Sequence, residues 1–237
     1  MPNAAAGNSP RLARVSWRPC WRIIPSRYPP IQLFERVADP ADLDAIFEIE
    51  ALTNDRLRDQ VGELQLVPPE DRITGPNASI VMAAFTHIRP GGGRFNDGSF
   101  GAYYAARELA TAIAETRYHR AQFYAATNEA PLALDMRAYA ADFSTRLHDI
   151  RKLPATSPLY DPNDYSASQH FARTLRTDGS DGIVYRSVRS ASGQCVALFK
   201  PRLLSHIRQG PRLIYQWDGT QIAEVFEAMT RWQQDKK

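Results

Sequence analysis

Cysteine is nearly missing from this chain: Cys20 and Cys195 are the only two in 237 residues, and they lie far apart. A disulfide framework or a zinc site needs more sulfur at closer spacing, so both are excluded and a reducing compartment fits. Long apolar runs are missing too, and nothing approaches the roughly 18 residues of a membrane span. The opening MPNAAAGNSPRLARVS lacks the apolar core of a secretion signal, so residues 1–18 are expected to form a flexible N-terminal tail. Charge of one sign is also scarce. A net charge of +3 does not argue for a nucleic-acid partner, and the basic residues are dispersed outside any nucleic-acid motif. There is no internal repeat, no P-loop Lys-Ser/Thr pair and no G-x-S-x-G elbow. These absences leave a cytoplasmic globular protein.

What is present suits that class. Hydrophobic residues make up 43% and charged residues 23%, enough for a sizeable core in a chain of this length. Residues 20–36 (CWRIIPSRYPPIQLFER) read as extended structure broken by prolines. Asp39 and Pro40 open a helix, with Leu43, Phe47 and Leu52 at roughly helical spacing. The stretch 66–77 reads as loop, and SIVMAAFTH (79–87) is too short for periodicity to separate helix from strand. FGAYYAA (100–106) reads as a strand, 107–126 as a long helix and 131–143 as a strand. Asp161 and Pro162 begin another helix. Residues 182–199 form a hairpin through SASG, and Asp218-Gly219 turns a second one. Strands and helices mix without βαβ alternation. The fold class is therefore α+β: a single domain with a twisted, mainly antiparallel sheet and flanking helices.

Several positions carry chemistry. Gly91, Gly92 and Gly93 permit positive φ and close approach of another molecule, and Arg94 follows them with a fork of donors suited to phosphate or carboxylate. On the following helix Leu109, Ala112, Ile113 and Thr116 share one face, with Arg120 and Phe123 near it. Glu115 sits on the flank of that face with Glu108, and with His119 at i+4. No second His or Cys stands at ligand spacing from His119, so no metal is inferred. Ser166 falls in a first helical turn, where free N–H groups favour anions, although Asp, Asn and Ser there also cap helices. Ser187 and Arg189 alternate with Val184 and Val188 on one strand.

Taken together, WRI (21–23), GGGRFNDGSFGAYYAA (91–106), AIAETRYHR (112–120), DPNDYSASQ (161–169), GSDGIVYRSVR (179–189) and CVALFKP (195–201) resemble the RES-domain proteins. These are toxins paired with Xre-type antitoxins. The resemblance spans residues 20 to 222; in domain terms it implies a RES domain over 19–225 and a C-terminal tail over 226–237. It implies a fold like that of ADP-ribosyltransferases and an enzyme acting on NAD as substrate, with no further cofactor. The reaction so implied is hydrolysis or phosphorolysis of the nicotinamide–ribose bond, or transfer of ADP-ribose to a protein. By motif position Arg22 and Arg94 are the arginines, Tyr104 the strand tyrosine, Glu115 the carboxylate and Ser166 the serine. Ser187 is a second candidate for that serine. Ile23 follows the first arginine where some members carry Tyr, which leaves Tyr28 as a substitute aromatic. A cognate Xre-type antitoxin is the implied partner, with DNA reached only through it. A homodimer is compatible, as is phosphate or a protein as acceptor. A non-catalytic or nucleic-acid-binding module is the alternative from another class.

Overall fold

The computed structural model describes residues 10–26, 33–36, 39–40, 43 and 62–228. Among these residues, the strands are β1 (Leu12–Pro25), β2 (Tyr103–Ala106), β3 (Leu132–Asp149), β4 (Gly182–Arg186), β5 (Gln194–Leu198), β6 (Ser205–Trp217) and β7 (Ile222–Glu227). The helices are α1 (Ala78–Thr86), α2 (Leu109–Ala126) and α3 (Ser166–Thr177), and Leu33–Arg36 makes a single helical turn.

The strands hydrogen-bond in the order β1-β2-β5-β4-β3-β6-β7, with β1 pairing β3 as well. That extra pairing closes β1, β2, β5, β4 and β3 into a ring, from which β6 and β7 extend. Every ladder is antiparallel except the short β3–β4 contact, where His148 faces Ile183 and Asp149 faces Val184. The α+β expectation of a mainly antiparallel sheet therefore holds.

Side-chain alternation explains why β4 and β5 lie inside. Ile183 and Tyr185 join one apolar cluster with Cys195 and Ala197, while Val184, Val196 and Leu198 point into the other. A strand buried on both faces reads as a continuous apolar run, and IVY and CVAL are such runs. The same alternation runs along β3: Leu134, Met136 and Ala138 belong to the second cluster, and Ala141, Phe143 and Leu147 to the first.

Three boundaries differ from the sequence reading. The supposed tail 1–18 is overturned from Leu12 onward, because β1 begins there and pairs with β3 from Leu12↔His148 to Trp17↔Phe143. Burial of Val15 and Trp17 supplies the reason. At the other end Phe226 and Glu227, assigned to the C-terminal tail, complete β7 against Ile214 and Leu213. The extended reading of 20–36 holds from Cys20 to Pro25 and fails at Leu33–Arg36, which is helical. Residues 79–87, left open, fall almost wholly in α1, whose Val81 and Met82 are fully buried. Phe47 and Leu52 lie outside the described residues.

Candidate active site

The glycine-rich loop folds back on itself. Gly93 N donates to Asn96 O at 2.8 Å, and Gly92 has φ 64°. A Cβ on Gly92 would lie 1.9 Å from Asn96 O. The close approach that glycine permits here is therefore by the chain's own backbone, which corrects the expectation of an outside molecule at that residue. The loop is then pinned from two sides. Tyr104 on β2 donates its hydroxyl to Asn96 Oδ1 at 2.7 Å and accepts from Phe95 N at 2.7 Å. Gln169 on α3 donates to Gly91 O and Gly93 O, and Arg173 pairs with Asp97.

Arg94 is thereby driven inward and is only 7% exposed. Its Nη1 donates to Leu159 O at 3.2 Å and Asp161 O at 2.6 Å, and its guanidinium lies 4.6 Å from the centre of the Tyr165 ring. Nη2 is buried without a hydrogen-bond partner. Arg22 on β1 behaves similarly. Nη1 donates to Tyr104 O at 3.1 Å, the guanidinium covers the Tyr103 ring, and Nε is buried without a partner. Burial lowers the Arg22 pKa from its ordinary value.

Glu115 reaches the same region from α2. This helix carries no Gly or Pro between Leu109 and Ala126, and it is anchored by buried Thr111 and Ala112. Thr116 Oγ1 lies 2.7 Å from the Tyr215 hydroxyl, and Arg117 Nε donates to Ile222 O. Phe123, expected near the buried face, is 44% exposed, and its neighbour Tyr124 is the ring that packs on Trp217. The turn between β4 and β5 approaches the opposite end of the helix. Gly193 is needed there, since a Cβ would lie 2.5 Å from Thr111 Cγ2. The result is that Ser187 donates its hydroxyl to Glu115 Oε1 at 2.6 Å, and Cys195 Sγ lies 3.9 Å from the same oxygen.

Arg94 and Glu115 bear on common neighbours. Tyr185 and Cys195 are both pushed well above their ordinary pKa values, chiefly by burial, and then by nearby negative charge that includes Glu115. Arg94 acts on both in the opposite sense. The ring of Tyr185 also meets Phe95, the neighbour of Arg94, edge-on at 4.8 Å. His119 stands among more guanidiniums. Desolvation, and then Arg189, Arg89, Arg94 and Arg120, lower it from 6.5 to about 4. Arg189 covers the Tyr118 ring and donates to Pro162 O at 2.7 Å.

The sequence-derived set is thus only partly assembled. Arg22, Arg94, Tyr104 and Glu115 share one region, whereas Tyr28 lies outside the described residues. Ser166 is exposed in the first turn of α3, its N–H on Asp164 Oδ1, next to the Tyr165 that Arg94 covers. The serine on Glu115 is Ser187. Tyr165, Gln169 and Cys195 escaped sequence reasoning as site neighbours, although each lies in a quoted block. A hollow lined by Leu66, Phe85, Arg176 and Phe199 contains none of these residues. Among the described residues no group of three or more His, Cys, Asp or Glu could hold a metal ion, and no helix is long and apolar enough to cross a membrane.

Comparison with known proteins gives three findings. The model of the RES domain matches residues 69–218. The uncharacterized protein y4oC of Sinorhizobium fredii is 32% identical over 210 residues, covering 87% of this chain and 86% of that protein. A chain in the crystal structure of the M. tuberculosis MbcT–MbcA toxin–antitoxin complex superposes with a TM-score of 0.45 and 14% identity, over 88% of this chain and 87% of that one.

Proposed function

The chain belongs to the RES-domain family, and from that premise we propose that it is a toxin enzyme that destroys NAD by breaking the nicotinamide–ribose bond, held in check by an Xre-type antitoxin. One observation above all supports the reading. A buried guanidinium with an unused Nη2 and a carboxylate held by a serine are joined by a short chain of contacts: Phe95, next to Arg94, meets Tyr185, Tyr185 stands opposite Cys195, and Cys195 Sγ lies 3.9 Å from Glu115 Oε1. A buried donor without an acceptor costs about 1–3 kcal/mol, more when charged, and an anionic oxygen bound there recovers that cost. NAD offers such oxygens in its pyrophosphate.

In the proposed reaction the bond from ribose C1′ to the nicotinamide nitrogen breaks. Its electron pair leaves with nicotinamide, which becomes neutral and needs no general acid. C1′ acquires oxocarbenium character until an oxygen of water or inorganic phosphate bonds to it, and water then gives up one proton to solvent. Glu115 accepts a ribose hydroxyl proton in a hydrogen bond, and its charge is felt more strongly by the cationic transition state than by the bound substrate. Arg94 holds pyrophosphate oxygens through Nη2, and Arg22 completes the clamp. Tyr104, its hydroxyl already engaged by Asn96 and Phe95, offers only its ring to a bound nucleotide. Ser166 orients the nicotinamide or its ribose from the start of α3.

The test is purified protein with NAD, in buffers with and without phosphate, products resolved over time. Nicotinamide should appear as NAD falls, with ADP-ribose or its phosphate as co-product according to the acceptor. Unchanged NAD and no labelled protein would overturn the reading; a labelled acceptor protein would instead make the enzyme an ADP-ribosyltransferase. Co-expression with the cognate antitoxin should restore growth that the toxin alone arrests.

A further inference from the structure

We infer that Ser187 is a positioning residue that locks one oxygen of Glu115 and leaves the other, Oε2, as the only one that can meet substrate. The inference rests on the NAD-cleaving reading and deepens it.

The argument is a count of protons and lone pairs. A serine hydroxyl has one proton and two acceptor sites. Both acceptor sites of Ser187 are taken, by Arg189 N at 3.0 Å and Ser190 N at 2.9 Å. Its proton therefore has one direction left, toward Glu115 Oε1 at 2.6 Å, a length typical of a hydroxyl on a charged acceptor. Ser187 cannot rotate to serve a ligand without abandoning two backbone N–H groups, and it is itself 9% exposed.

Oε1 also faces Cys195 Sγ, so two protein groups crowd that oxygen. No described residue donates to Oε2. A carboxylate pinned through one oxygen has a fixed rotamer, and the free oxygen retains its lone pairs for a ribose hydroxyl. The turn is held in this shape by Ser187 N on Gly193 O at 2.9 Å and Gly193 N on Ser190 O at 3.0 Å. Ser166 is not equivalent: it stands exposed on α3, and no hydrogen bond joins it to Glu115.

The experiment is a kinetic cycle on NAD with wild type, Ser187→Ala, Ser187→Thr, Glu115→Gln and the Ser187→Ala/Glu115→Gln double variant. Ser187→Ala should lower kcat about 10- to 100-fold with KM changed less than about twofold, because the carboxylate is misplaced rather than lost. Ser187→Thr, which keeps the hydroxyl, should recover to within about threefold of wild type. With Gln at position 115, Ser187→Ala should have almost no further effect, since the two side chains act as one unit. Equal losses in both backgrounds, or an effect confined to KM, would overturn the inference.

A second measurement does not depend on a variant folding. In a structure of the wild type with an NAD analogue whose nicotinamide-ribose ring oxygen is replaced by CH2, Ser187 should stay on Oε1 and a ribose hydroxyl should lie on Oε2. Ser187 bonded to the ligand would overturn the inference. Wild type that consumes no NAD removes the underlying reading and this inference with it; an active wild type with an unimpaired Ser187→Ala removes the inference alone.

Discussion

Ser187 Oγ lies 2.6 Å from Glu115 Oε1 across 72 positions of sequence. The contact joins the turn after β4 to the middle of α2, and it fixes the position of the Glu115 carboxylate on that helix. Glu115→Gln keeps the shape and an oxygen for Ser187 while removing that charge. If the carboxylate stabilises developing positive charge, kcat for NAD loss should fall by about 10² or more with little change in KM. Steady-state rates measured by nicotinamide release check this, and full activity would remove Glu115 from the mechanism.

Arg94 serves stability as well as the proposed contact with pyrophosphate. Its Nη1 alone holds Leu159 O and Asp161 O together, so the segment leading into α3 depends on the reach of the guanidinium, which the shorter lysine lacks. Arg94→Lys keeps the charge but leaves these part-buried carbonyls short of a donor, at a cost of about 0.5–1.5 kcal/mol per bond lost. In a chain of this size each kcal/mol lowers the melting temperature by roughly 2–4 °C. A thermal melt by circular dichroism should show that shift alongside weaker NAD binding. An unchanged melt would mean that the two carbonyls find other donors.

How much of this could be read beforehand depends on which physics the residues express locally. The β4–β5 hairpin and the Asp218-Gly219 turn were legible because apolar runs and turn residues are local signals, and both appear in the structure. Glu115 and Arg94 were found as residue types with a place in a pattern. That Ser187, Cys195 and Tyr165 sit against them was not legible, because these contacts join segments far apart in sequence, which no short window encodes. Ser166 was preferred over Ser187 on motif position, whereas the lone pairs of Ser187 depend on a turn whose shape is set by Gly193 packing against Thr111. Gly92 illustrates the converse: its positive φ was anticipated, but what comes close to it is Asn96 O.

His119 gives a pH prediction with a definite sign. Desolvation and the charges of Arg189, Arg89, Arg94 and Arg120 lower its pKa to about 4 in the folded chain, against an ordinary value of 6.5. Between those values the unfolded chain binds a proton that the folded chain does not. The stability contributed by neutral His119 is therefore complete above about pH 6.5 and is lost as the pH falls through about 4. The residue keeps substantial contact with solvent, so screening holds the effect well below that of a fully buried imidazole. His119→Gln should flatten the fall in urea midpoint between pH 7 and pH 4.5. An imidazole NMR titration of the wild type with a midpoint near 6.5 would refute the assignment.

The first half of β1 should matter more than its composition suggests. Val15 and Trp17 alternate with exposed Arg14 and Ser16, a two-residue period that the surrounding prolines and arginines obscure. Trp17 is 6% exposed and meets Phe143 edge-on at 5.5 Å, next to the register shift that carries β1 from Trp17 to Cys20. Truncating such a ring to alanine removes its burial and leaves a cavity, costing about 3–5 kcal/mol. Deleting residues 1–18 would in addition take away every β1 partner of β3 from Phe143 to His148, exposing one side of β3 where the ring of strands closes. Trp17→Ala should lower the denaturant midpoint without changing the slope, whereas the deletion should abolish cooperative unfolding. A cooperative transition with the wild-type midpoint in the deleted chain would restore the reading of these residues as a flexible tail.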